Sequence, residues 1–442
     1  MNARFILHCA ASIVLCAVLA ASASATELKV KGNLDVYGMW SANLRDFNSD
    51  NGDADNYYTT QRMRTYFEFV ASENLKAVLG LEMNADWGQG MGGDWGTDGT
   101  DYMRVKHAYM AFAVPDTTVK VMAGLQPIAL PSVFGNPVFD DDGAALIVSA
   151  PINDMFGITA GYTRGLDNND NYDSGADYDG NDNLDVGFLA LPFKLDGFSI
   201  APYFAYAWIG DGAAPAGNQQ VPSSAVVGDL VKFDDATAWV LGANAQLTIF
   251  DPLTFAADLI YGVGENDDYE TKGWYSALAA SYKFDVLTAT LFGTYATGAD
   301  EDVDEDNYLP TLAEGWELTP YLGGARAFNT GASDGFATDT LKVGSDGTGL
   351  WTVGLKLAEI SFVDKLSHTL VLAYGEGTSD KKAGVAFDEK DSAWEVYMVN
   401  KYMIYEHLAA INELGYFAPD FDEKTREDDA SYFATIGFSY KF

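Results

Sequence analysis

The fold class that this sequence predicts is an all-β, transmembrane, antiparallel up-and-down β-barrel of about eighteen strands, with its third external loop folded inward. Three observations predict it. Apolar residues come in short segments of alternation, with no long apolar run after the first twenty residues, and a period of two marks a strand with two different faces. The connections between these segments are alternately short and long, as they are when strands run up and down through a bilayer. The stretch 119–149 starts as a clean alternation and then breaks into an irregular but partly apolar segment, residues 127–143, with Pro127, Pro131 and Pro137. A loop of that composition needs a surface to pack on, and the interior of a barrel supplies one.

The elements follow in order. Residues 1–25 read as a secretory signal peptide: Arg4 is its positive end, 5–20 its apolar stretch, and Ala23-Ser24-Ala25 its small-residue cleavage site. Residues 26–442 are read as one barrel domain. In the first strand, 28–42, Leu28, Val30, Leu34, Val36 and Trp40 oppose Lys29, Lys31, Asn33 and Asp35. The second strand, 57–71, turns at Ser72-Glu73-Asn74 into the third, 75–87; the fourth, 102–114, turns at Pro115-Asp116-Thr117. Further alternating segments run to the C-terminus, giving eighteen strands, or sixteen if 408–417 is not one. A very long connection, 298–348, has no readable period.

Aromatic residues cluster near the strand ends, Trp87, Trp208, Tyr261 and Trp274 at the long-loop side and Phe250, Phe284 and Phe362 at the short-turn side. Tyr and Trp settle where an apolar body meets headgroups. The chain closes on Ser439-Tyr440-Lys441-Phe442, a strand ending in an aromatic, as outer-membrane assembly favours.

Composition narrows the function. A formal net charge of −38 excludes nucleic acid as a partner, because phosphate binding needs clustered Lys and Arg. Both cysteines, Cys9 and Cys16, lie in the leader, so the mature chain has no disulfide and no cysteine metal site. Catalysis is not expected, nor is a cofactor or metal. Outside the leader only His107, His368 and His407 could serve as a histidine base, and no nucleophile or metalloprotease motif is present. The acidic segments 167–185 and 300–306 are weak candidates for Ca²⁺ bridging to lipopolysaccharide, but neither has EF-hand spacing.

Parity selects the candidate site. With charged residues facing the lumen, Arg62, Arg64, Arg104 and Lys106 form a basic wall near mid-height, while Lys76 and Lys120 line the short-turn, periplasmic mouth. The inward loop brings Phe134, Asp140, Asp141 and Asp142 to a constriction opposite that wall, creating a transverse field. The alternative is that the cations neutralise lumen carboxylates such as Glu68 and Glu82. His107 falls on the outward parity with Val105 and Tyr109.

Several segments together resemble the homotrimeric outer-membrane porins of sulfate-reducing, Desulfovibrio-type bacteria. They are Gln61-Arg62-Met63-Arg64, Phe69-Val70-Ala71-Ser72-Glu73-Asn74, Val105-Lys106-His107-Ala108-Tyr109, Gly124-Leu125-Gln126, Val138-Phe139-Asp140-Asp141-Asp142, Asn400-Lys401-Tyr402 and Glu413-Leu414-Gly415-Tyr416. The resemblance implies a trimer of water-filled channels passing small hydrophilic solutes. The expectation is a general diffusion porin of the outer membrane. Its subunits would meet through the outward faces bearing Val30, Gly32, Leu34, Val36, Leu79, Leu81, Val121 and Ala123. The alternatives are a solute-specific channel and a non-conducting surface barrel for anchoring or adhesion. Solute identity and ion preference are left open.

Overall fold

The computed structural model of the protein describes residues 26–44, 46–50, 56–88, 103–167, 183–210, 235–267, 269–301, 305–313, 315–328, 343, 347–383, 385, 387–422 and 426–442. The leader, most of the acidic segment 167–185 and part of 300–306 therefore lie outside the described residues.

The strands are β1 (Glu27–Ala42), β2 (Asn56–Ser72), β3 (Leu75–Asp86), β4 (Met103–Ala113), β5 (Lys120–Ala129), β6 (Asp140–Pro151), β7 (Gly157–Asp167), β8 (Asn183–Ala190), β9 (Phe193–Leu195) and β10 (Phe198–Ile209). They continue with β11 (Ala236–Phe250), β12 (Leu253–Glu265), β13 (Glu270–Lys283), β14 (Thr288–Ala296), β15 (Glu305–Asp306), β16 (Leu350–Val363), β17 (Leu366–Gly377), β18 (Ser392–Tyr405), β19 (Leu408–Asp420) and β20 (Ser431–Lys441). Neighbours in sequence pair antiparallel, and β20 returns to β1, from Asn33↔Lys441 to Ala42↔Tyr432. The wall therefore closes on itself. β8 and β9 both pair with β10 and make one stave, while the two-residue β15 lies parallel to β13 beside the wall. That leaves eighteen staves, and β19, the segment in doubt, is one of them.

The alternation read in the sequence is the alternation between lipid side and lumen. On β18, Trp394 and Val396 are exposed by 62% and 39% while Ala393, Glu395 and Tyr397 between them are buried. Around the long-loop rim the outward aromatics touch across strands: Trp40 and Tyr57 at 4.8 Å, Tyr261 and Trp274 at 4.4 Å, Tyr374 and Trp394 at 4.8 Å between ring centres. Among the described residues, three neighbouring strands stand out from this belt. β5 and β6 contain no aromatic residue, and Phe112, near the short-turn end, is the one outward aromatic of β4.

Two connections fold into the lumen and meet there. Residues 130–139, between β5 and β6, lie alongside residues 312–313 and 315–317 of the long connection. Backbone N–H groups of Leu312, Gly315 and Glu317 donate to the carbonyls of Val138, Asn136 and Phe134 at 2.8, 3.0 and 2.8 Å. Asp140 N–H returns to Ala313 O at 2.8 Å. The approach is close enough that a Cβ on Gly135 would lie 1.8 Å from the Gly315 carbonyl oxygen. Irregular backbone can sit this deep because its polar groups are paired to one another and to the wall. The pair makes a septum across the barrel.

One boundary differs from the sequence reading. Pro127 and the three aspartates are not loop: β5 runs through Ala129, and Asp140, Asp141 and Asp142 open β6 opposite Ala129, Ile128 and Pro127. The β4–β5 ladder stops at Ala108↔Leu125, so β5 has a free edge beyond that point, and a free edge tolerates proline.

Candidate functional site

The septum is held on one side of the lumen by three carboxylates that point inward from the wall. Val133 N–H donates to Asp258 Oδ2 of β12 at 2.7 Å, and Asn244 Nδ2 donates to Oδ1 at 2.7 Å. Tyr321 N–H donates to Glu395 Oε1 of β18 at 3.1 Å, and the Thr319 hydroxyl bonds the other oxygen. Glu413 of β19 accepts from Ala327 N–H at 2.8 Å, from Tyr397 Oη at 2.6 Å and from Thr435 Oγ1 at 2.8 Å, with Arg326 Nη2 at 3.3 Å. Aromatic contacts complete the attachment. Trp316 Nε1 donates to Tyr275 Oη at 3.0 Å, Tyr321 stacks on Phe417 at 4.6 Å, and Phe328 stacks on Tyr37 at 4.5 Å. From the other loop, Asn136 Nδ2 donates to Tyr203 Oη at 2.9 Å, and Phe134 meets Phe292 edge-on at 5.7 Å. Buried carboxylates that each accept several N–H or O–H groups are strong, geometrically specific anchors.

None of these contacts reaches β2 or β3, and there the basic wall stands. Arg62, Arg64 and Arg104 converge on Glu82, whose side chain is only 3% exposed. Arg64 Nε donates to Oε2 at 2.6 Å and Arg104 Nε to Oε1 at 3.0 Å, while Arg62 Nε donates to Asn84 Oδ1 at 2.9 Å and lies 3.8 Å from Glu82 Oε2. Register explains the gathering: Arg64↔Glu82 and Glu82↔Arg104 are direct cross-strand partners, the positions where opposite charges meet. Three guanidiniums and one carboxylate leave a net charge of about +2 (three minus one) on this wall. The Arg104 side chain is 64% exposed and that of Arg64 31%, so the excess faces the open lumen. Lys76 and Lys120 lie at the short-turn ends of β3 and β5, Lys76 being 3.7 Å from Glu68.

The fourth cation and the aspartates correct the expected transverse field. Asp142 forms an ion pair with Lys106 and accepts a hydrogen bond from His107 Nε2 at 2.8 Å. It therefore sits against the basic wall instead of across a gap from it. The cause is the ribbon of β5 and β6 that continues past the end of the β4–β5 ladder and places Asp142 beside β4. Asp140 packs under the septum against Gly315, and Asp141 is the ladder partner of Ile128. His107 is likewise inward, not outward. Gly80 pairs with His107 and Leu81 with Val105, so Lys106 is an extra residue in β4. Such a bulge shifts parity by one, turning His107 and Tyr109 to the lumen; the His107 ring lies 5.4 Å from that of Tyr66.

No protein-family model matches the sequence, and no curated protein does. Solved structures do match. OpdL of Pseudomonas aeruginosa aligns with a TM-score of 0.54 and 12% identity over 94% of this chain and 98% of that one. OccK8 (OprE) of the same organism gives the same values. OccAB3 of Acinetobacter baumannii gives 0.53 and 12% over 94% and 99%. They share the fold: a closed barrel, nearly all sheet.

The sequence reading missed Asp258, Glu395 and Glu413, together with the entire second half of the septum. A signal for the anchors was present. Each is the one carboxylate on its strand's inward parity, with mainly apolar or small inward neighbours, as in Ala393-Trp394-Glu395-Val396-Tyr397.

Proposed function

We propose that this chain is a diffusion channel of the bacterial outer membrane, passing small hydrophilic solutes and ions without a reaction. The observation that carries the reading is the contrast between the two sides of the lumen. A septum packs against β10–β14 and β18–β20, and the opposite wall of β2–β4 presents a charged, solvent-exposed guanidinium pair to the passage left beside it. Apolar residues outside and charged residues inside a closed barrel are the physical requirements of a water-filled pore. Fold likeness to outer-membrane channels supports the same reading, as does the resemblance of the sequence to trimeric porins. Net positive charge at the passage favours anions there, while the acidic chain as a whole enriches cations at its mouth.

The assembly proposed is a homotrimer, with the subunit contact on β3–β6. An aromatic belt marks wall that meets headgroups; its interruption at β4–β6, where Val105, Ala108, Leu125, Ala144 and Leu146 face outward, is what a protein-covered wall needs. Planar-bilayer recording is the test. Stepwise, weakly selective conductance in groups of three is expected; a folded barrel that never conducts would establish the anchoring alternative instead.

A further inference from the structure

We propose that an alcove on the short-turn side of the septum binds zwitterionic solutes with apolar bodies, the chemistry of hydrophobic α-amino acids and short peptides. The proposal deepens the channel reading, since it names what pauses on the way through, but the binding can be measured without conduction.

The alcove is an open-sided cavity of about 900 Å³ between the septum and the inward faces of β12, β13, β14, β16 and β17. It lies at the large end of small-molecule sites, which run to about 1,000 Å³. Its apolar surface comes from Phe134, Leu318 and Val133 of the septum and Phe292 and Val371 of the wall. The Phe134 and Phe292 rings stand edge to face at 61°, leaving ring faces for an apolar or cationic group.

Charge separates this cavity from the basic wall. Three carboxylates line it, Asp140, Glu317 and Glu359, against one ammonium, Lys356. Glu359 accepts from Thr288 Oγ1 at 3.2 Å, and Asp140 accepts weakly from Asn136 N–H at 3.4 Å. Lys356 has no ion pair among the described residues. An organic anion would meet three like charges. A bare metal ion would meet apolar side chains where it needs oxygens, and no cluster of three acidic or histidine ligands exists among the described residues. A solute with an ammonium, a carboxylate and an apolar body satisfies all three parts of the lining: the acids, Lys356, and the Phe134–Phe292 surface.

The experiment uses the full mature chain in detergent and compares equilibrium binding of four probes by calorimetry: the dipeptide Phe-Leu, phenylalanine amide, 3-phenylpropionate and Gly-Gly. Phe-Leu is expected to bind tightest, with about tenfold loss on removing either the carboxylate or the apolar body, and a larger loss for the free acid. Lys356→Met should abolish the preference of Phe-Leu over phenylalanine amide, and Phe292→Ala should abolish its preference over Gly-Gly. Equal or tighter binding of 3-phenylpropionate overturns the proposal, as does a Lys356→Met protein that ranks the probes as before. Conductance recorded on the same preparation separates the two readings. A conducting channel that binds none of the probes sinks the alcove alone, and a binder that does not conduct sinks the channel alone.

Discussion

At the scale of the residue, the basic wall is a problem of desolvation solved by one carboxylate. Glu82 and Arg62 are both buried, and a buried charge left alone costs several kcal/mol. Replacing Glu82 by Gln keeps the shape and removes the charge. It should destabilise the barrel by about 3 kcal/mol, read by urea unfolding in lipid, because the nearby guanidiniums then repel without a counter-charge. The same variant should raise anion preference, whereas Arg62→Glu combined with Arg64→Glu should shift the reversal potential in a salt gradient toward cations. If both variants move the potential the same way, these side chains do not line the passage. Which residues face inward was legible on β2 and β3, since simple parity holds there. It failed on β4, because a single inserted residue at Lys106 has no signature in composition yet reverses every side chain beyond it. A second residue-scale prediction lies outside the membrane. Ser49 donates through its N–H to Asp429 Oδ2 at 2.8 Å, and also through its hydroxyl, holding that exposed carboxyl below the ordinary aspartate range. A lowered folded-state value means that this bond stabilises above the unfolded value and is lost as pH falls through the folded one. Amide exchange at Ser49, corrected for intrinsic rate, should therefore quicken as pH drops below the usual aspartate range, and should stay flat in Asp429→Asn.

At the scale of the element, the septum divides what period can reveal from what it cannot. Strands are written in alternation, and their order, turns and closure could be read directly. Residues 307–313 and 315–328 have no repeating pattern because they make no helix or strand; their fold is set by where backbone N–H groups find acceptors. Those acceptors lie far away in the chain, at Glu395 and Glu413, so no local window of sequence holds the answer. The clue lies in the wall instead, where a lone inward acid among apolar neighbours must be satisfied by something that enters the lumen. The consequence can be tested. Glu395→Ala with Glu413→Ala removes the acceptors for Tyr321, Ala327 and Arg326 while leaving the strand ladders intact. Released from the wall, the segment should no longer narrow the lumen, and single-channel conductance should rise about twofold or more. An unchanged conductance would show that the septum does not limit flow. Double substitution is needed because either anchor alone, with the Trp316–Tyr275 and Phe328–Tyr37 contacts, can hold the loop.

At the scale of the whole molecule, the outer surface carries the assembly argument. Lipid asks a barrel for an apolar band bordered by aromatic residues, and most of the strands from β7 round to β2 supply such a residue on the outward face, among them Trp40, Tyr57, Tyr162, Trp208, Trp274 and Trp394. Apart from Phe112, Met103 and Met110 of β4, the described outward residues of β4, β5 and β6 are small or aliphatic, as close approach between two walls requires. The interruption sits directly outside the ribbon that carries Asp142, so a partner there would brace the stretch where β4 and β5 part. Two arginine substitutions separate this from a plain lipid-facing wall. On the lipid side, Leu278→Arg should cost about 2–4 kcal/mol near the midplane and leave the oligomer whole. If the proposed contact holds, Ala123→Arg should instead release monomers, seen as a threefold drop in protein mass by light scattering in mild detergent. Both proteins should keep their β-sheet circular dichroism. Loss of the oligomer with Leu278→Arg and not with Ala123→Arg would move the contact to the opposite face of the barrel.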